Sequence, residues 1–126
     1  MLCEKPVTIN ADQLKHLIET AIVNDTFLME GMWIRFLPSI QQVIQLVSEN
    51  KIGDVISVKA NMSYRAPYSE DSRYFNPDLG GGSLLDLGIY PLFLATLILG
   101  KPSAVKSVAA LSDKGIDEAC SILLDY

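Results

Sequence analysis

Leu79 to Pro91 reads Leu-Gly-Gly-Gly-Ser-Leu-Leu-Asp-Leu-Gly-Ile-Tyr-Pro. The glycine triplet Gly80 to Gly82 closes a loop, Ser83 can cap a helix, and the run Leu84 to Leu99 is apolar nearly all round. Pro91 should kink or divide that helix, because its ring removes a helical donor and crowds the preceding turn. Asp86 and Tyr90 stand four apart, a spacing that places both on one face of a helix, although Pro91 biases Tyr90 away from helical geometry. A carboxylate in such apolar surroundings is costly unless paired, so Asp86 wants a partner. Two readings follow from these residues. In one, Asp86 hydrogen-bonds a nearby loop and Tyr90 is a core aromatic with a satisfied hydroxyl. In the other they form an acid–base pair, since a phenol that ionises near pH 10 becomes a useful proton donor beside a lysine ammonium. The glycine triplet is no dinucleotide fingerprint, because Leu85 stands where the third glycine would fall. It is either a flexible turn or a close backbone approach whose amides face a phosphate or substrate oxygen.

Working outward, Arg65 to Asp78 is a polar, aromatic loop long enough to suggest function. Before it, Val55 to Tyr64 alternates polar and apolar residues and predicts a half-covered strand. Pro38 to Asn50, with Ile40, Val43, Ile44 and Val47 on one face, predicts a helix. At the start, Met1 to Pro6 reads as a strand end running into a loop. Asn10 and Gln13 resemble a capping box for a helix over Ala11 to Val23. Phe27-Leu28-Met29 reads as a short buried strand, so strand, helix and strand together look like the end of an α/β unit. Downstream, Gly100-Lys101-Pro102 stops the long helix, and Val105 to Leu111 and Ala119 to Tyr126 read as two further strands. Lys5 lies at a strand end, the edge of an α/β sheet where ligands sit and where a cation can polarise a carbonyl. Alone, the Glu4-Lys5-Pro6 tripeptide reads first as a solvated surface lysine.

Composition narrows the classes. The chain has 126 residues, 49% of them apolar, and a net charge of −5. With only ten Lys and Arg, it lacks the basic face that nucleic acid or an anionic membrane requires. Cys3, Cys120 and the single His16 make no metal-ligand pattern, so no metal site is expected and both cysteines read as reduced thiols of a cytoplasmic protein. The apolar stretch Leu87 to Leu99 is shorter than the roughly 20 residues a membrane helix needs. A mean hydropathy of +0.26 then calls for apolar surface that meets a partner or another domain.

In order, Cys3-Glu4-Lys5-Pro6, Glu30 to Pro38, the turn Ile52-Gly53-Asp54 and Leu79 to Pro91 resemble the Gfo/Idh/MocA oxidoreductase family. The position four residues after Asp86 holds Tyr90, which is similar to the dihydrodiol dehydrogenase and glucose-fructose oxidoreductase branch. The resemblance implies an α+β fold with an open, mainly antiparallel sheet covered by helices, preceded by the last βαβ piece of a Rossmann domain. Residues 1–30 would be the remnant of the nucleotide-binding domain and residues 31–126 an incomplete substrate and dimerisation domain. It further implies hydride transfer between NAD or NADP and a sugar or small diol. Tyr90 would be the general acid–base, Lys5 would ease its ionisation and orient the reacting oxygen, and Asp86 would fix the geometry. Glu4, Lys5, Pro6, Arg35 and Arg73 are the cofactor-contact candidates, and Trp33 joins Tyr90 at the substrate; for Trp33 core packing is an equal reading. Family members run well over twice this length, so the chain is read as a fragment, inactive alone, that assembles as a homo-oligomer through the sheet formed by Val55 to Tyr64 and the later strands. The alternatives are a non-enzymatic dimerisation or ligand-sensing module of the same fold, and a free-standing sugar-binding domain resting on Trp33 and the aromatic loop Tyr64 to Phe75. Substrate identity and the choice between NAD and NADP lie outside these residues.

Overall fold

The computed structural model describes residues 1–69 and 72–126; residues 70 and 71, inside the aromatic loop, lie outside the described residues. The chain divides into two compact units, Met1–Trp33 and Ile34–Tyr126.

The first unit is a single strand–helix–strand. β1 (Leu2–Cys3) pairs in parallel with β2 (Met29–Glu30), with Leu2 opposite Met29 and Cys3 opposite Glu30. A parallel pair needs a long crossover, and α1 (Ala11–Val23) supplies it. Asn10 starts that helix by accepting from the Gln13 amide at 3.0 Å, and the Gln13 side chain returns a bond to the Ile9 amide at 3.1 Å. One orphan donor of the first turn is thereby satisfied, and the return bond goes to the residue before the cap and not to the Asn10 amide that a capping box would engage.

In the second unit, α2 (Pro38–Ser48) begins with proline in the first turn, where a missing N–H costs nothing. Three-residue 3₁₀ turns at Arg73–Phe75 and Pro77–Leu79 lead to the glycines. A π-helical turn, Leu84–Gly88, then passes into α3 (Ile89–Leu99). The predicted break in this helix is therefore present, but it falls before Pro91 as a π turn and not as a kink at the proline. Pro91 has no N–H to donate back toward the π turn, and the break in the α pattern lies in that turn, just ahead of the proline. β3 (Ala104–Leu111) and β4 (Asp117–Asp125) form an antiparallel hairpin from Ala104 opposite Asp125 to Leu111 opposite Asp117. Pro77 to Leu99 is apolar enough by length and composition to cross a membrane. Gly80, in the left-handed conformation, ends the 3₁₀ turn before it. The continuous helix of the five-residue π turn and eleven-residue α3 spans only about 24 Å at 1.5 Å per residue.

The strand expected over Val55 to Tyr64 does not form. Among the described residues it has no ladder partner, β3 pairs only with β4, and Ile56 and Tyr64 are exposed. Alternation sets which side chains would face inward, but a strand also requires a neighbour to take its backbone groups. Exposed apolar surface recurs on the hairpin. The face carrying Val105, Ile122 and Leu124 looks toward Leu84, Leu92 and Thr96 across an apolar cavity of about 500 Å³. On the opposite face, by the alternation of the ladder, Val108 is 69% and Leu123 68% exposed.

Candidate functional site

Each unit contributes its own cluster. In the first, Glu4, Lys5 and Pro6 form the loop immediately beyond the carboxyl end of β1. Two contacts tie this loop to the end of β2. The Val7 amide donates to Glu30 Oε1 at 3.0 Å, and the Gly31 amide donates to the Cys3 carbonyl at 2.6 Å. A Cβ at Gly31 would lie 3.1 Å from that carbonyl and 3.5 Å from Glu4 Cα, so the residue after β2 must be small for the two chains to approach. Lys5 is half-buried. Trp33, opening a 3₁₀ turn after β2, is 52% exposed.

The second unit holds Arg35, Arg73, Asp86 and Tyr90. Arg73 and Asp86 are brought together: the guanidinium Nη2 donates to Asp86 Oδ1 at 2.9 Å. Thirteen residues of loop and turn separate them in sequence. Arg73 also lies over the ring of Tyr74 at 4.5 Å from its centroid, a cation–π contact that steadies the guanidinium. Burial lowers the Arg73 pKa, but the hydrogen bond and charge of Asp86, with Tyr74 beside them, outweigh it, and the net shift is upward. The cation is therefore permanent. Asp86 sits in the π turn and Tyr90 in the first turn of α3, both half-buried. A π turn carries i→i+5 bonds and is wider than an α turn, and single π turns of this kind recur at functional sites. The Arg35 carbonyl accepts from the Gln41 side chain in the first turn of α2.

What places Arg73 beside Asp86 is the glycine triplet. The Gly81 amide donates to the Asn76 carbonyl at 2.9 Å and the Gly82 amide to the Tyr74 carbonyl at 3.0 Å. A Cβ on Gly81 would stand 2.8 Å from the carbonyls of Arg73, Tyr74 and Asn76 alike. The triplet is thus a close backbone approach, and the amides of Gly81 and Gly82 are taken by the folded-back loop instead of facing an anion. Tyr68 and Phe75 pack at 5.1 Å between ring centroids and close the same loop.

The cap of the π turn is also not the one the sequence suggests. Ser83 is itself helical and makes no side-chain cap. Asp117, from the start of β4, accepts on Oδ2 from the Leu84 amide at 2.6 Å and from Ser83 Oγ at 2.7 Å. Sequence reading missed Asp117, because 33 residues separate it from the amide it caps and only the β-hairpin returns it. Among the described residues no cluster of His, Cys, Asp and Glu could hold a metal ion. The cavity between α3 and the hairpin is lined by neither Asp86 nor Tyr90.

Comparison with known proteins settles the lineage. The GFO/IDH/MocA C-terminal domain matches residues 40–126. The chain belongs to the GFO/IDH/MocA family. It is 37% identical over 131 residues to trans-1,2-dihydrobenzene-1,2-diol dehydrogenase of Xenopus tropicalis, covering 100% of this chain and 38% of that protein. It is 36% identical over 127 residues to D-xylose 1-dehydrogenase (NADP(+)) 2 of Haloferax volcanii, covering 100% and 39%. Among solved structures, the aldose-aldose oxidoreductase of Caulobacter crescentus complexed with glycerol superposes with a TM-score of 0.81 at 26% identity, over 96% of this chain and 38% of that one. The chain therefore spans less than two-fifths of the length of the curated relatives it matches. Within this family its mixed architecture of helices and a small antiparallel sheet is the expected C-terminal fold.

Proposed function

We propose that this chain is the catalytic segment of an NAD(P)-dependent oxidoreductase that moves a hydride between the nicotinamide and a sugar or small diol. The Arg73–Asp86 ion pair at 2.9 Å carries the proposal. A bonded carboxylate one turn before Tyr90, on a π turn, is an arrangement for holding one hydroxyl in place. It is supported by relatives whose names are those of a diol and a xylose dehydrogenase.

Tyr90 gives its phenolic proton to the carbonyl oxygen in the reducing direction and takes it back from the hydroxyl in the oxidising one. Asp86, fixed by the permanent cation of Arg73, holds the helix turn on which that phenol stands. Lys5 enters through the Glu-Lys-Pro motif: its ammonium orients the reacting oxygen. The loop around Lys5 fits the reactive end of a dinucleotide. It is a half-buried cation directly beyond the carboxyl end of a parallel strand pair, with Gly31 admitting close backbone approach. Glu4, Lys5 and Pro6 would line that end, and Trp33, half-exposed, would present its ring to substrate. When bound, NAD or NADP supplies or accepts the hydride at C4 of its nicotinamide.

The hairpin face with the exposed Val108 and Leu123, diagonal neighbours across the ladder, is proposed as the contact between subunits of a homo-oligomer. The competing reading, a ligand-sensing module without turnover, predicts tight dinucleotide binding by the 126 residues alone. Calorimetric titration with NADPH separates the two. The proposal expects a Kd above about 1 mM for the isolated chain, worth less than about 4 kcal/mol, and micromolar binding would favour the sensor.

A further inference from the structure

We propose that Asp117 is a positioning residue for the reaction: it holds the turn that carries Asp86 and leads into Tyr90. The inference rests on the assignment of catalysis to those two residues, but its support is separate. A helix start leaves amides without acceptors, and here a carboxylate from another element supplies one. Asp117 Oδ2 takes the Leu84 amide at 2.6 Å and Ser83 Oγ at 2.7 Å. Both donors come from adjacent residues on the approach to Asp86, so one oxygen fixes the entry direction of the chain. The other oxygen is fixed by shape. Gly82 has φ +123, and a Cβ there would lie 2.2 Å from Asp117 Oδ1. Only glycine leaves room for this carboxylate to reach Leu84. Ile116, the neighbour of Asp117, is the most buried apolar residue of the core, at 5% exposure, which keeps the start of β4 from drifting. The Ile116 amide is itself held by Ser112 Oγ at 3.2 Å.

The arrangement differs from an ordinary cap in what it joins. The sheet end and the catalytic turn are linked through one side chain, and any rotation of the π turn must break two charge-assisted bonds at once.

The test is amide hydrogen exchange on the 126-residue chain, with turnover of the enzyme as a second arm. Asp117→Ala should speed exchange at Leu84, Leu85 and Asp86 by about 5- to 30-fold, the range expected for loss of a charged cap, while the paired amides of β3 and β4 keep their rates. Asp117→Asn, whose carboxamide oxygen can accept from both donors, should bring the rates back to within about threefold of the original. Unchanged exchange in Asp117→Ala, acceleration spread evenly through the hairpin, or equal acceleration in Asp117→Asn would overturn the proposal. Should Asp117→Ala not fold, Ser83→Ala removes one of the two donors and should still speed exchange at Leu84 about threefold; no change there overturns the proposal equally. In turnover, Asp117→Ala should lower kcat about tenfold with KM within about twofold, and Asp117→Asn should restore it. Faster exchange with an unaltered kcat would leave Asp117 a structural anchor and overturn its role in the reaction, whereas a full rate in Tyr90→Phe would count against the assignment of catalysis instead.

Discussion

Replacing Gly82 by alanine tests how the turn that carries Asp86 is built. The added Cβ would meet Asp117 Oδ1 at 2.2 Å, more than 1 Å inside ordinary van der Waals contact. The carboxylate is the far end of a short side chain and can swing away, but only by leaving Leu84 N and Ser83 Oγ. Each charge-assisted bond contributes about 1.5 kcal/mol. A non-glycine residue at φ +123 costs about 1–3 kcal/mol besides. The expected destabilisation is therefore about 4–6 kcal/mol, a large part of the roughly 5–15 kcal/mol that holds a domain together. Gly100, at φ +81 with nothing within 4 Å of its Cβ, isolates the backbone part. Gly100→Ala should cost only about 1–3 kcal/mol. Thermal and urea unfolding of the 126-residue chain, followed by circular dichroism, measures both. The decisive comparison is a double-mutant cycle. In an Asp117→Ala background the obstructing oxygen is gone, so Gly82→Ala should cost about 3 kcal/mol less than in the parent. Additive effects would refute the claim that Gly82 is glycine because of Asp117.

Arg73→Leu should cost under about 1 kcal/mol of stability, because the guanidinium is 52% exposed, yet lower kcat about tenfold; equal losses in melting temperature and turnover would make the pair merely structural. Val108→Asp on the open hairpin face should move the sedimentation coefficient of the enzyme to that of a monomer, and an unchanged oligomer would place the interface elsewhere. Lys5→Met should lower turnover of the enzyme by about 10²-fold, the scale of losing one group that meets the reacting oxygen; a full rate would remove Lys5 from the reaction.

Local patterns carried much of the fold. Asn10 and Gln13 announced α1, Pro38 announced α2, and the apolar run after Ser83 announced the long helix, because caps and helical periodicity are written within one or two turns of chain. The sheet was less legible. Val55 to Tyr64 alternates like a strand, and nothing inside the segment reveals whether a neighbour takes its backbone groups. The need of Asp86 for a partner was readable from its apolar surroundings, but not that the partner is Arg73, which only the glycine triplet's folded-back loop brings close. Asp117 carried no signal at all. An aspartate at the start of a strand looks like a turn residue, and its role appears only once the hairpin returns it to Leu84.

The most direct test supplies the remainder of the enzyme from the Xenopus tropicalis relative, fused to this chain, and compares NADP⁺-linked oxidation of a small diol with and without Tyr90→Phe. The account predicts turnover by the fusion and a loss of about 10²-fold or more on removing the hydroxyl, with NADPH binding retained. A folded fusion that binds NADPH and keeps its full rate as Tyr90→Phe would contradict it.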